Sequence, residues 1–158
     1  VRRLAAVAAL VLALAADGST ATNGNDWPMF GYDAARRNVG PASTGITAAN
    51  VGELRRRQIQ LDGTVDSSPI YLHGVTVGGA THDAIFVTTT YGKTEAIDAA
   101  SGRVLWRYTP TTYSSLAGSA QITVMTPLAD PSRAAIYAGG PDGKIVKLSV
   151  ASGAVLWT

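Results

Sequence analysis

The residues able to do covalent or metal chemistry are few and fall in a handful of places. His73 and His82 lie nine positions apart in a Gly-rich stretch, with Asp83 beside the second. Imidazole and carboxylate are zinc-type ligands, but a metal site needs them held at short, fixed spacing on a defined element, and this stretch supplies none. They are read as surface side chains. Ser67-Ser68 and Ser114-Ser115 offer hydroxyls without a base at any recognisable spacing, so hydrolase chemistry has no support. Gly139-Gly140-Pro141-Asp142-Gly143 has the composition of a phosphate cradle but no helix follows it, and it reads as a hairpin turn. Asp66, ahead of Ser67-Ser68-Pro69, reads from the residues alone as a turn-capping carboxylate before a strand.

What must position these groups is an internal repeat. Residues Ala84 to Trp106 and Ala135 to Trp157 align without a gap at an offset of 51 and agree at ten of 23 positions. Each copy runs from an alternating apolar strand through Gly-Lys (Gly92-Lys93, Gly143-Lys144) to Ser-Gly-x-Val-Leu-Trp. Short strands at this period are the signature of propeller blades, which cannot bury their faces alone. The expected fold is therefore all-β: a β-propeller of four-stranded antiparallel blades, about two of them present. Strands are expected at Ser67 to Leu72, Ala84 to Thr90, Lys93 to Asp98 and Arg103 to Thr109. In the second copy they are expected at Gln121 to Pro127, Ala135 to Gly139, Lys144 to Val150 and from Ala154 onward. His73 to Asp83 reads as a surface loop longer than its counterpart Leu128 to Arg133. Arg55 to Leu61 reads as a further strand whose Arg55-Arg56-Arg57 marks a solvated edge, and Thr47 to Leu54 as one helical turn.

Residues 1–16 join Arg2-Arg3 to a run of Leu, Ala and Val too short to span a bilayer, the pattern of a secretory signal peptide. Residues 17–25 then form a polar linker, 26–54 an arm, and 55–158 the blades, with repeats at about 65–109 and 119–158. Trp27 and Phe30, costly to leave in water, are expected to pin the arm to the body. The expected location is exported, periplasmic or extracellular, with no transmembrane anchor. Without Arg2 and Arg3 the 13 basic residues fall to 11, against 11 acidic ones, so the basic balance gives no support for nucleic-acid binding. No cysteine is present, which removes disulfides, thiolate metal sites and covalent haem from this stretch. Because the last repeat stops at Trp157-Thr158, the expectation is an N-terminal fragment whose first partners are the remaining blades, with envelope proteins as further candidates.

Ala96-Ile97-Asp98-Ala99-Ala100-Ser101-Gly102-Arg103-Val104-Leu105-Trp106 spells A-x-D-x-x-x-G-x-x-x-W. It resembles the tryptophan-docking motif of the pyrroloquinoline quinone (PQQ) repeat, or quinoprotein-like, β-propellers. Asp26-Trp27-Pro28-Met29-Phe30-Gly31, with Asp33 and Arg36, is similar to the arm before their first blade. The resemblance implies that Ala96, Asp98, Gly102, Trp106, Gly153 and Trp157 are structural, each Trp packing between the motif Ala and the glycine peptide of adjacent blades. The second copy departs, with Lys147 in the Ala place and Ser149 in the Asp place, which implies a weaker dock. The lysine stem could lie along an indole with its ammonium wet. The resemblance also implies, for family enzymes, PQQ and calcium in the central funnel, commonly beneath a vicinal disulfide that cannot form here. Asp66 stands where those enzymes typically place a cofactor-contacting glutamate. Two functions follow as expectations. In the first, the blades are scaffold with no complete active site and no assignable cofactor, catalytic residue or metal ligand beyond Asp66. In the second, the parent is a PQQ- and calcium-dependent dehydrogenase of alcohols or sugars.

Overall fold

The computed structural model describes residues 24–40 and 44–158, so the expected signal peptide (1–16) and most of the expected polar linker lie outside the described residues. Two four-stranded antiparallel sheets form in chain order, which is the blade pattern. Blade one comprises β1 (Ile70–Val77), β2 (Ala80–Thr88), β3 (Thr94–Asp98) and β4 (Val104–Tyr108). A short helix, α1 (Tyr113–Leu116), leads to blade two: β5 (Leu128–Ala129), β6 (Ala135–Gly139), β7 (Ile145–Ser149) and β8 (Val155–Trp157).

The 51-residue offset is reproduced bond for bond. Thr89 N–H donates to Lys93 O and Gly92 N–H to Thr89 O, while Gly140 donates to Lys144 and Gly143 to Gly140. The next turn repeats in the same way: Asp98 to Arg103 and Gly102 to Asp98, then Ser149 to Ala154 and Gly153 to Ser149. Gly139 to Gly143 is thus the hairpin turn its sequence suggested. Alternation along the central strand divides the blade's two faces. Phe86, Ala96 and Trp106 are paired in register on one face, and Val87, Glu95 and Arg107 on the other. The first set joins Ile70, Leu72 and Ala84 against Ile136, Ala138, Val146, Leu148 and Val150 of blade two, forming one core between the sheets.

Four expectations are corrected. His73 to Asp83 is strand rather than loop: β1 and β2 meet in a two-residue Gly78-Gly79 turn with φ of 58° and 85°, the positive pair that a tight hairpin needs. Its glycines mimic a loop composition, yet Val75 and Val77 keep the alternation and are buried. The inner strand of blade two is β5, not Gln121 to Pro127. Pairing starts at Leu128↔Tyr137, directly after Pro127, which has no N–H to give a ladder. Arg55 to Leu61 has no sheet partner among the described residues and is irregular. The helical turn is only Val51–Glu53, a 3-10 turn that follows Asn50, whose side chain accepts from Thr47 N–H at 2.7 Å.

The arm is held by Trp27 but not by Phe30. Trp27 exchanges both backbone hydrogen bonds with Tyr71 at 2.8 and 2.9 Å, adding a rung to the outer side of β1. Phe30 is 51% exposed: the chain reverses at Gly31 and Tyr32 (φ 75° and 77°), which places the Tyr32 ring 5.3 Å from Trp27 and leaves Phe30 outside, with Arg36 over its face. The firmer anchor is Asp26, 2% exposed. Its Oδ1 accepts from His73 N–H at 2.7 Å and from Arg133 Nη2 at 3.1 Å, and its Oδ2 from Arg133 Nε at 2.8 Å. Pro28 O accepts from Ala129 N–H, so the arm crosses both blades.

Because Asp26 would be left buried and unpaired, Arg133→Ala should cost about 3 kcal/mol. Arg133→Lys, with no fork to match the carboxylate, should fall between it and the parent. Urea denaturation midpoints of the three proteins check this ordering.

Candidate functional site

Two neighbourhoods contain the residues singled out by sequence. The first is the end of blade one where β1 and β3 begin and β2 and β4 finish. Its backbone is knit by polar side chains and strand ends. Ser67 Oγ donates to Thr88 O at 2.8 Å, Ser68 N–H donates to Thr126 Oγ1 at 3.1 Å, and Thr123 N–H donates to Thr90 O at 2.8 Å. These serines are tied into the frame and face no base. Asp66 projects from this rim, exposed, and no hydrogen bond among the described residues involves its carboxylate. It is therefore not a turn cap here. No group of three His, Cys, Asp or Glu residues able to hold a metal converges among the described residues. The residues present do not by themselves fit calcium or the quinone, since Asp66 supplies a single carboxylate.

Beside the rim lies an ionic cluster that local sequence did not reveal. Lys93 Nζ binds Asp62 Oδ2 at 2.7 Å and sits 3.9 Å from the centre of the Tyr113 ring. Arg107 Nε donates to Glu95 Oε1 at 2.8 Å and lies 3.8 Å from Asp62. Glu95 is fully buried and its Oε2 has no partner among the described residues. Lys93 holds the Asp62 carboxyl below its ordinary range, and Asp62 in turn raises the lysine. Lys93 follows the repeated glycine, but Asp62 and Arg107 lie 31 and 14 positions from it, a separation no motif scan would join.

The second neighbourhood is the A-x-D-x-x-x-G-x-x-x-W segment. Asp98 Oδ1 accepts from both the N–H and the hydroxyl of Ser101 at 2.6 Å, which closes the turn so that Gly102 can adopt φ 78°. Its Oδ2 meets His82 Nδ1 at 2.7 Å. His82 is thus a partner of the turn, on β2 and half-buried, while His73 on β1 pairs separately with Asp83 at 2.8 Å. The Ser-Asp-His order is not nucleophilic, because the serine hydroxyl is spent on the carboxylate. Trp106, opposite the buried Ala96, lays its ring on Gly153 of blade two. A Cβ at Gly153 would come within 2.6 Å of Trp106 Cε3. Trp106 Nε1 also donates to Val150 O at 2.8 Å. Of the motif places on blade two, Gly153 meets Trp106, and the Val150 carbonyl beside Ser149 receives its N–H.

Blade two departs as its sequence does. Lys147 lies opposite Trp157, yet its ammonium is not left wet: Nζ binds Asp130 Oδ2 at 2.9 Å, over the Tyr137 ring. Asp130 also accepts from the N–H and hydroxyl of Ser132 and from Tyr137 OH. Trp157 keeps the Phe86–Trp106 geometry in its own pairing with Tyr137, at 5.9 Å against 5.8 Å, but is 48% exposed.

Both organising carboxylates have lowered pKa values. The Ser101 hydroxyl, then His82, holds Asp98 far below the usual carboxylate range; the Ser132 hydroxyl, then Lys147 and Tyr137, does the same for Asp130. A depressed folded value stabilises above the unfolded pKa of about 4 and is lost as pH falls toward the folded value. Thermal midpoints should be level from pH 7 to about 5 and fall below about 4. That acid limb should be shallower in Asp98→Asn and Asp130→Asn; an unchanged limb in both would refute the assignment.

The comparisons with known proteins agree with this architecture. The chain is 25% identical over 136 residues to the dehydrogenase subunit of a quinone alcohol dehydrogenase from Gluconobacter oxydans (strain 621H), covering 84% of this chain and 17% of that protein. It is 28% identical over 154 residues to the quinohemoprotein alcohol dehydrogenase ADH IIB of Pseudomonas putida, covering 91% and 20%. The crystal structure of the quinohemoprotein alcohol dehydrogenase from Comamonas testosteroni superposes with a TM-score of 0.52 at 22% identity, over 88% of this chain and 20% of that one. The chain thus spans about a fifth of the length of these relatives. The family model PQQ_2, described as outer membrane protein assembly factor BamB, matches residues 58–158. With two antiparallel blades repeating at one offset and that match over more than half its length, the chain belongs to the PQQ_2 family of β-propeller repeats.

Proposed function

We propose that this chain is scaffold: part of an exported ring of blades, with structural side chains at the motif positions and no complete active site of its own. The observation that carries it is the seating of Trp106 on Gly153 and Val150 O. Every element of the A-x-D-x-x-x-G-x-x-x-W segment is accounted for by that contact or by the turn that presents it. Ala96, fully buried, gives the indole room; Asp98 and Gly102 build the turn; Trp157 offers the same indole on the far side of blade two. On this reading the motif is a docking device, and Trp157 awaits a further blade. Export is supported by the leader-like pattern of residues 1–16. The remaining blades are the first partners and envelope proteins the next.

A second reading is favoured by the names of the relatives and by the free carboxylate of Asp66 on the rim. In it the longer protein oxidises alcohols or sugars with PQQ and calcium, and Asp66 supplies one ligand to a site completed by other blades.

Trp106→Ala should destabilise the chain by about 3 kcal/mol. Gly153→Val, placed against the ring at φ 70°, should cost about 1 to 3 kcal/mol from overpacking, with backbone strain added. Trp157→Ala should cost about 1 kcal/mol or less in the chain alone. Equal effects at the two tryptophans, read from urea midpoints, would refute the docking reading. The full-length protein mixed with PQQ, calcium and an electron-acceptor dye should show no turnover; dye reduction that Asp66→Ala abolishes would replace the scaffold reading with the second.

A further inference from the structure

The arm joins the two blades along one particular edge of each. Trp27 exchanges its backbone hydrogen bonds with Tyr71 on the side of β1 away from β2, and Pro28 O accepts from Ala129 N–H on the side of β5 away from β6. β1 and β5 are the first strands of their sheets, and in a ring of blades the first strands stand round the central channel. The arm therefore lies on the channel side. It also lies toward one end of it. Asp66 marks the rim before β1, whereas Asp26 is bonded to His73, beyond Leu72, and to Arg133 in the β5–β6 connection, toward the opposite end.

After Pro28 the chain folds on itself instead of following a strand. Tyr32 N–H donates to Met29 O, Arg36 N–H to Asp33 O and Asn38 N–H to Gly31 O, so residues 29–38 close into a compact loop, braced by the Arg37–Asp33 ion pair. Tyr32, Arg36 and Asn38 take φ of 77°, 53° and 55° in it, a conformation that residues with side chains seldom adopt unless their surroundings hold them there. The result is to carry Phe30 on the outside of the loop, 51% exposed, with the Arg36 guanidinium 5.7 Å from its ring centre. A large apolar ring held out in this way is costly in water and is suited to a contact.

We infer that the 29–38 loop is a plug: it closes the end of the ring's central channel opposite Asp66, and Phe30 seats against the first strands of blades on the far side. The inference rests on the scaffold reading that this chain is part of a longer ring. What covers Phe30 is set by where the arm is pinned, because a side chain carried on the channel side faces the first strands of other blades of the same ring. The chain spans about a fifth of its relatives' length, which leaves polypeptide to supply them. A channel stopped at this end opens only at the rim that carries Asp66, so whatever enters the ring passes that carboxylate.

Hydroxyl-radical footprinting of the full-length protein, with the 158-residue chain beside it, tests this without altering a residue. Phe30 and Trp157, 51% and 48% exposed, report different contacts: Trp157 reads the closing of the ring and Phe30 the plug. In the full-length protein the oxidation of both should fall by about tenfold relative to the 158-residue chain, as each ring becomes buried. Protection of Trp157 with Phe30 still reactive would overturn the inference and leave the ring standing; full reactivity at both would overturn both readings. Protection of Phe30 that appears in the 158-residue chain and grows with concentration would assign its cover to a second copy, and would also overturn the inference. Phe30→Ser gives an independent check. It should lower the thermal midpoint of the full-length protein and leave that of the 158-residue chain unchanged; no change in either would refute the plug.

Discussion

A four-stranded twisted sheet has two faces, and a sequence that makes both of them apolar or buried cannot be satisfied by one sheet. Every residue of β3 is buried, so alternation along it, which in an ordinary half-exposed strand would set one face to water, here sets two faces to protein. The rest of the structure follows from that demand. Blade two covers the Phe86, Ala96 and Trp106 face. The opposite face, carrying Val87, Glu95 and Ile97, is met by the stretch around Ile59 and Asp62, and the fully buried Glu95 receives the Asp62 N–H there. Blade two, with no third sheet against it among the described residues, shows the alternative: Val155, Leu156 and Trp157 all stand exposed.

How far the sequence reveals this depends on whether a feature recurs. The turn glycines, the Ser-Gly-x-Val-Leu-Trp segment and the apolar strands recur at 51 residues, and the two blades, their order and most strand limits could be read from them. Features that occur once were misread. Gly74, Gly78 and Gly79 signal a loop by composition, whereas one sits at a bulge and two in a hairpin whose flanking valines stay in register. Pro127 was counted inside a strand that can begin only after it. Phe30 has the chemistry of an anchor but falls on the outside of a reversal set by Gly31 and Tyr32.

The candidate site was legible in its local parts. Asp98, Ser101 and Gly102 form a turn within five residues, so the role of the aspartate is legible in the sequence. Lys147 was recognised as a departure, but its partner Asp130 lies 17 residues away on another strand, and only the fold joins them. The same limit hid Arg57, read as a solvated edge because its neighbours are arginines; one of the three reaches a carbonyl more than 40 residues on. The ionic cluster of Asp62, Lys93, Glu95 and Arg107 was missed for the same reason.

The pairing of Asp26 with Arg133 spans 107 residues of chain. Each blade is built from adjacent hairpins whose closure is local and fast, but the Asp26–Arg133 pair cannot form until the chain has reached the β5–β6 connection of the second sheet. During synthesis from the N-terminus, Trp27 finds Tyr71 as soon as β1 is made, whereas Asp26 waits through the whole of blade one for Arg133. The buried ion pair therefore ties the start of the chain to the second sheet: a chain stalled before residue 133 keeps the Trp27–Tyr71 rung but leaves Asp26 without its guanidinium partner.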